Sequence, residues 1–360
     1  MALVLLVGTL NRVMIVELSV PASIVGIMIA LPLVFAPFRA LIGYKSDTHR
    51  CELGWRRVPF IWKGTLLQFG GFAIMPFALL VLAGKGDAGS YPVWIGQLAA
   101  AASFLMVGAG VHVVQTAGLA LATDLTPPES HARVVGLMWV MLLVGMIVSA
   151  LAFGAALEDF TPGRLVQVIQ GTAVLTLALN AVAMWKQEVR RPRRGGPLPP
   201  PDPSFAESWA QFCAGEGALR RLVVVGIGTM AFGMADILLE PFGGQVLGLE
   251  VAATTKLTAL LAGGGLIGFS YASWTLGRGA DPYRIVLYGA LVGLVNGVLF
   301  LIFQRRGSDL PNEVALYGQP ILHLAFGALG GLLGMVIWTP TPLIQIEEPP
   351  AKTPSPKLGA

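Results

Sequence analysis

Two short stretches, Gly43-Tyr44-Lys45-Ser46-Asp47 and Gly54-Trp55-Arg56-Arg57-Val58-Pro59, decide how this chain folds. They form a charged island with the pattern G-x-x-x-D followed by G-x-R-R-x-P. On both sides lie apolar runs long enough to sit in lipid, since a membrane helix needs about 20 apolar residues. A short basic hairpin between two such helices faces the cytoplasm, because Lys and Arg accumulate in inner loops. The pattern is that of a transporter-type helical scaffold.

The rest of the chain agrees. Of 360 residues, 55% are hydrophobic and only 12% charged. Soluble domains carry roughly 25% charged residues, so a globular enzyme with a watery surface is excluded. Glycine is abundant, at 45 residues, as expected where helices pack closely in lipid. The net charge of +4 is no nucleic-acid footprint, because the basic residues gather in loops. Cys51 and Cys213 both fall in inner loops, where neither a disulfide nor a zinc site is expected.

About ten spans are expected from the ~20-residue rule. They run over Met1 to Glu17, Pro21 to Leu41, Val58 to Leu82, Val93 to Thr123, Val134 to Leu157 and Leu165 to Met184. After a polar segment come Leu222 to Leu239, Ala253 to Leu276, Ile285 to Phe303 and Ala315 to Trp338. Met1 to Glu17 has no charged n-region and no small-residue cleavage site, so it reads as a span rather than a signal peptide. The expected organisation is an N-terminal half over 1–185, a cytoplasmic linker over 186–221, a C-terminal half over 222–338 and a disordered tail over 339–360. Lys45, Arg50, Arg56 and Arg57 lie on the same expected side as Lys186, Arg190, Arg191, Arg193, Arg194, Arg220 and Arg221. Arg278 and Arg284 join them; Arg305 and Arg306 are the exception. Ser204 to Gly217 is expected as a short surface helix with Trp209 and Phe212 toward lipid.

Several residues are candidates for function. In the loop motif, Gly43 is expected to permit a tight turn. Asp47 is expected to accept from helix-end N–H groups or to pair with Arg57. With Gly54 and Arg56 they form a latch between the two halves or, more plainly, a topology marker. Asn11, Arg12 and Glu17 sit inside the first span, where ionisable residues are functional candidates by default. Arg12 and Glu17 are expected to pair or to reach the second half. In the fourth span, Gly108, His112, Gln115 and Thr116 share one helix face. A small residue one turn from His112 opens space beside the imidazole, which suits a flat ligand whose metal takes one axial nitrogen. The plainer expectation is a histidine that bonds across helices as packing glue. Asp236 and Glu240 are spaced i, i+4. They read as a proton relay or, more plainly, as a helix end meeting solvent with Pro241 as the stop. Glycine clusters at Gly263 to Gly268 and Gly327 to Gly334 are expected to serve helix packing.

Longer stretches are specific. Leu10 to Leu18, Phe35 to Gly43, Ser46-Asp47 with Gly54 to Trp62, Gln115 to Asp124, and Asp236 to Pro241 with Gly243-Gly244 together resemble the PucC/LhaA family, the bacteriochlorophyll-delivery branch of the major facilitator superfamily. The resemblance spans roughly Met1 to Leu301. It implies an all-α bundle in two halves with twelve helices in the family, of which about ten are read here. The first helix begins abruptly, and the stretch after about Gly334 departs from the family pattern, so both ends are expected to be incomplete.

The resemblance further implies a multi-pass protein of the bacterial inner membrane that helps assemble light-harvesting complexes. It would bind bacteriochlorophyll or a precursor and deliver it to antenna or reaction-centre core subunits, with lipid as its surroundings. His112 would then be a candidate axial ligand of the chlorin Mg. Family members have carried the label of a bacteriochlorophyll synthase subunit. The residues give catalysis no support, because no D-x-x-x-D pair is present to hold a Mg-diphosphate. The rival expectations are a proton-coupled small-molecule transporter and a pigment-free chaperone for antenna helices.

Overall fold

The computed structural model describes residues 1–49, 54–84, 86–188, 203–215, 217–220 and 248–278, with short runs between 222 and 291 that include 240–245. The expected tenth span, most of the seventh and ninth, Cys51, Asp236, Arg305, Arg306 and the tail lie outside the described residues.

The chain starts in the middle of the bundle. Two π-helical segments, π1 (Val4–Leu10) and π2 (Val13–Glu17), make up the first helix. Val4, Leu5, Leu6, Leu10, Val13 and Met14 are all buried there. A helix that is apolar all round is one surrounded by protein. It packs against α5 (His131–Ala156) and α8 (Val251–Gly277).

The second span is α1 (Ala22–Phe35) continued by α2 (Phe38–Thr48). Pro37 explains the break, since proline has no N–H for the carbonyl four residues back. Ala36 N–H takes the Leu33 carbonyl instead, at 3.0 Å. The helix outlasts the expected boundary at Leu41. Lys45, Ser46 and Asp47 are hydrophilic, which ends the apolar run, but none of them breaks a helix.

Next come α3 (Val58–Leu82), α4 (Val93–Asp124) and α6 (Pro162–Met184), close to the expected bounds. At ~1.5 Å per residue, the 32 residues of α4 span about 48 Å. That exceeds the ~30 Å hydrocarbon layer, so the end bearing Asp124 projects beyond the apolar zone. Helices α3 and α4 meet backbone to backbone: a Cβ added at Gly64 would lie 2.9 Å from the Gly110 carbonyl oxygen. Asn180 of α6 donates to Thr65 Oγ1 of α3 at 2.9 Å, a polar tie of the kind that holds helices together in lipid. In the cluster expected to serve such packing, Gly264, Gly265 and Gly268 are buried, whereas a Cβ at Gly263 would meet nothing within 4 Å. Gly327 to Gly334 lies outside the described residues.

Among the described residues, six helices are long and apolar enough to cross a membrane. Their outer faces carry exposed Leu137, Met141, Val148, Leu151, Val174 and Val182. Apolar patches of that extent fit lipid as the surrounding medium. The short helix α7 (Phe205–Ala214) follows the linker, with no buried residue. Ser204 and Glu207 form a reciprocal capping box at its start. Phe205, Trp209 and Phe212 stack along one side, with ring centroids 6.3 and 5.6 Å apart.

Candidate functional site

Three polar groupings interrupt the apolar bundle. The first lies at its basic end. Gly43 is no turn residue: it lies within α2, where an added Cβ would come within 3.9 Å of Thr116. The turning glycine is Gly54, with φ +80°, a value that favours glycine. Asp47 occupies the last turn of α2 and pairs with Arg57 Nη2. Arg57 Nη1 donates to Ser46 Oγ at 2.6 Å, and its Nε donates to Asp124 Oδ2 at 3.0 Å. Arg56 Nη2 reaches the same Asp124 oxygen at 2.6 Å. Each guanidinium nitrogen of Arg57 therefore has an acceptor.

The same end holds a carboxylate that hydropathy hides. Glu188 lies just past α6. Its Oε1 accepts from Arg56 N at 2.7 Å, and its Oε2 accepts from Arg57 N at 3.0 Å and Val58 N at 2.9 Å. These N–H groups open α3 and have no partner within the helix. A carboxylate also suits the positive end of the helix dipole. Among the described residues, the clamp joins α2, α3, α4 and the segment after α6, all of the first six helices. The reason is the length of α4, which brings Asp124 to the hairpin.

The second grouping surrounds His112 on α4. The slot that Gly108 was expected to leave open is filled by Pro32 of α1, whose Cα would lie 3.2 Å from an added Cβ. His112 Nε2 meets the Pro32 carbonyl oxygen at 3.1 Å. That carbonyl is free because Ala36, its usual helical donor, bonds to Leu33. The imidazole also stacks on Phe35, centroids 6.4 Å apart. Its Nδ1 is buried without a partner. With Nε2 engaged and Pro32 filling the adjoining slot, the open space expected beside the imidazole is absent. Thr116 accepts from Arg39 Nε at 3.1 Å. Gln115 is half-buried and hydrogen-bonds to no described residue.

The third grouping is a buried polar seam between the first helix and the segments that follow the linker. Asn11 Nδ2 donates to the Ile237 carbonyl at 2.6 Å. Arg12 Nη1 donates to Glu17 Oε1 at 2.6 Å, and its Nη2 donates to the Leu249 carbonyl at 2.8 Å. Both expectations for Arg12 therefore hold together: it pairs locally and it reaches across. Thr9 and Thr255 share a hydrogen bond at 3.3 Å. Of the two expectations for Glu240, a proton relay or a helix end at solvent, the second fails: the residue is 1% exposed. Thr258 Oγ1 donates to its Oε1 at 2.5 Å. Gly8 makes room for this carboxyl, since an added Cβ would stand 2.9 Å from its Cδ. Two polar atoms of the seam, Glu240 Oε2 and Arg12 Nε, are buried without partners. Asp236 lies outside the described residues. Among the described residues, no group of three His, Cys, Asp or Glu gathers as a metal site.

This architecture defines a class: a multi-pass helical membrane protein with the fold of the major facilitator superfamily. It is similar to the xylose transporter XylE of E. coli in a partially occluded inward-open conformation, with a TM-score of 0.56 at 14% identity, over 92% of this chain and 80% of that one. At that identity the likeness concerns the fold alone. The family model described as PUCC protein matches residues 9–341, and the chain belongs to that family. It is 66% identical over 299 residues to Protein PucC of Rhodovulum sulfidophilum, covering 82% of this chain and 65% of that protein. To Protein PucC of Cereibacter sphaeroides it is 59% identical over 332 residues, or 92% and 71% of the two. A Rhodobacter capsulatus protein called Bacteriochlorophyll synthase 44.5 kDa chain is 28% identical over 273 residues, or 74% and 59%. The chain spans about two thirds of the length of the curated relatives it matches.

Proposed function

We propose that this protein assists the assembly of light-harvesting complexes in a bacterial inner membrane. In this reading it holds bacteriochlorophyll, or a precursor, and passes it to antenna or reaction-centre core subunits. Membership of the PUCC family over residues 9–341 carries the reading. The relative named as a bacteriochlorophyll synthase chain supports the link to that pigment. The basic end is read as cytoplasmic. No catalytic step is assigned, and the pigment is cargo.

The experiment is direct. The protein is purified in mild detergent from cells that make bacteriochlorophyll, and its near-infrared absorption is recorded. Co-purifying pigment, together with loss of antenna absorption when the gene is deleted, is the expected result. A colourless preparation with antenna loss on deletion favours the pigment-free chaperone instead. Because His112 is engaged with Pro32, His112→Leu leaves any bound pigment in place.

A second reading has one specific observation behind it. A glutamate buried between the first helix and α8 suits a proton-coupled small-molecule transporter. Proton-dependent uptake into proteoliposomes that vanished on Asp236→Asn or Glu240→Gln would favour that reading over the first.

A further inference from the structure

The seam poses a chemical question that the pigment reading does not use. Glu240 is one of the largest fully buried side chains of the protein. Thr258 Oγ1 donates to its carboxyl. The oxygen Oε2 faces no partner. A carboxylate removed from water needs several donors or a paired cation to remain ionised. Among the described residues the seat gives threonine hydroxyls alone, Thr258 in contact and Thr255 beside it. A neutral carboxyl is the species that such a seat holds at least cost.

The cation that would stabilise the ionised form is close but committed elsewhere. Arg12 acts electrostatically on Glu240. Its two terminal nitrogens are engaged with Glu17 and the Leu249 carbonyl. Its Nε is buried and unpartnered. An orphan donor and an orphan acceptor therefore share one seam, and the proton on Glu240 decides whether they have reason to meet. The groups around the carboxyl are few. The first helix contributes Arg12, Glu17 and Gly8. From α8 come Thr254, Thr255 and Thr258, all uncharged, while Lys256 is exposed and lies along Gly154 of α5. Glu250, ahead of α8, is exposed.

We propose that Glu240 is a proton-binding site between the first helix and α8: protonated, it stays seated against Thr258; ionised, it draws the Arg12 guanidinium away from Glu17. One proton leaves Oε2 for water, and no bond other than O–H is broken. The exchange releases Glu17 at the end of π2 and loosens the Arg12 hold on Leu249, so the contact between the first helix and the start of α8 changes with protonation. The inference rests on the seam alone and stands whatever the cargo.

The test uses the full chain in lipid nanodiscs. Infrared difference spectra between acidic and alkaline buffer report protonated carboxyl groups by their carbonyl stretch. The expected result is a band present in acid, lost in alkali and missing from Glu240→Gln, which remains monodisperse on size exclusion. A band that persists in Glu240→Gln, or that disappears only in Asp236→Asn, overturns the assignment. A second readout follows the rearrangement. A nitroxide at Glu250→Cys, with Cys51→Ser and Cys213→Ser, changes its line shape across the same pH step and is unresponsive when Glu240→Gln is added. An equal response in both backgrounds overturns the Arg12 exchange. Gly8→Ala places a methyl against the carboxyl, and an unaltered band in that variant overturns the seating.

Discussion

Arg57 and Arg12 are both buried arginines, 4% and 3% exposed, and their surroundings differ sharply. All three guanidinium nitrogens of Arg57 meet an acceptor on Asp47, Ser46 or Asp124. Its carboxylates keep contact with water, at 56% and 34% side-chain exposure. Arg12 leaves Nε unsatisfied, and Glu240 Oε2 is orphaned in the same seam. A buried polar network that is fully paired fixes one structure, whereas one with spare donors and acceptors has a second arrangement within reach. The basic end thus behaves as a fastener within the first six helices. The seam is the element poised to rearrange.

That contrast predicts unequal costs. Arg57→Ala strips the centre from a four-residue cluster and costs about 3 kcal/mol, toward the low end for a broken buried pair because its carboxylates keep some water. Thermal unfolding in lipid nanodiscs should show a clear drop in Tm. Arg12→Ala removes two hydrogen bonds but also one orphan atom, and costs about 1–2 kcal/mol. Equal losses for the two variants would erase the distinction drawn here. Glu188→Gln keeps the shape of the cap on α3 but not its charge. A loss of about 1 kcal/mol follows from the helix-end interaction, and hydrogen exchange at residues 56–58 should rise. The smallest effect concerns α7. The backbone N–H of Ser204, with the Ser204 hydroxyl, holds the exposed Glu207 carboxyl below the usual range. Because the folded value is depressed, this capping contribution is complete above the ordinary glutamate pKa and fades as pH falls through the folded one. Acid should therefore speed exchange in residues 204–214.

Much of the bundle was legible because apolar runs end abruptly at charge or proline. Val58 to Leu82 begins after Arg56-Arg57 and matches α3 at both ends. The length of α4 was visible too, and it explains how Asp124 reaches the hairpin. Three features escaped for a common reason: their partners are far away in sequence. Hydropathy alone places Glu240 at a helix end. Its burial comes from Gly8 and Thr258, and Asn11 bonds a carbonyl 226 positions along. Glu188 looked like the start of a polar linker because nothing local reveals that three N–H groups of α3 need an acceptor. The Gly108 slot looked empty from α4 alone, since Pro32 belongs to another helix. Gly43 misled in another way. Glycine and charge together suggest a turn, yet Lys45, Ser46 and Asp47 extend a helix that is already formed.

The two ends of the proline-rich stretch are moored to the same side. Glu188 is fixed to the start of α3, and the Pro203 carbonyl accepts the Tyr44 hydroxyl of α2 at 2.9 Å. The described residues on either side of 189–202 are thus both held to the first six helices. Inserting a tag within 189–202 should therefore leave both contacts in place, since doubling such a loop costs only about 0.6 kcal/mol.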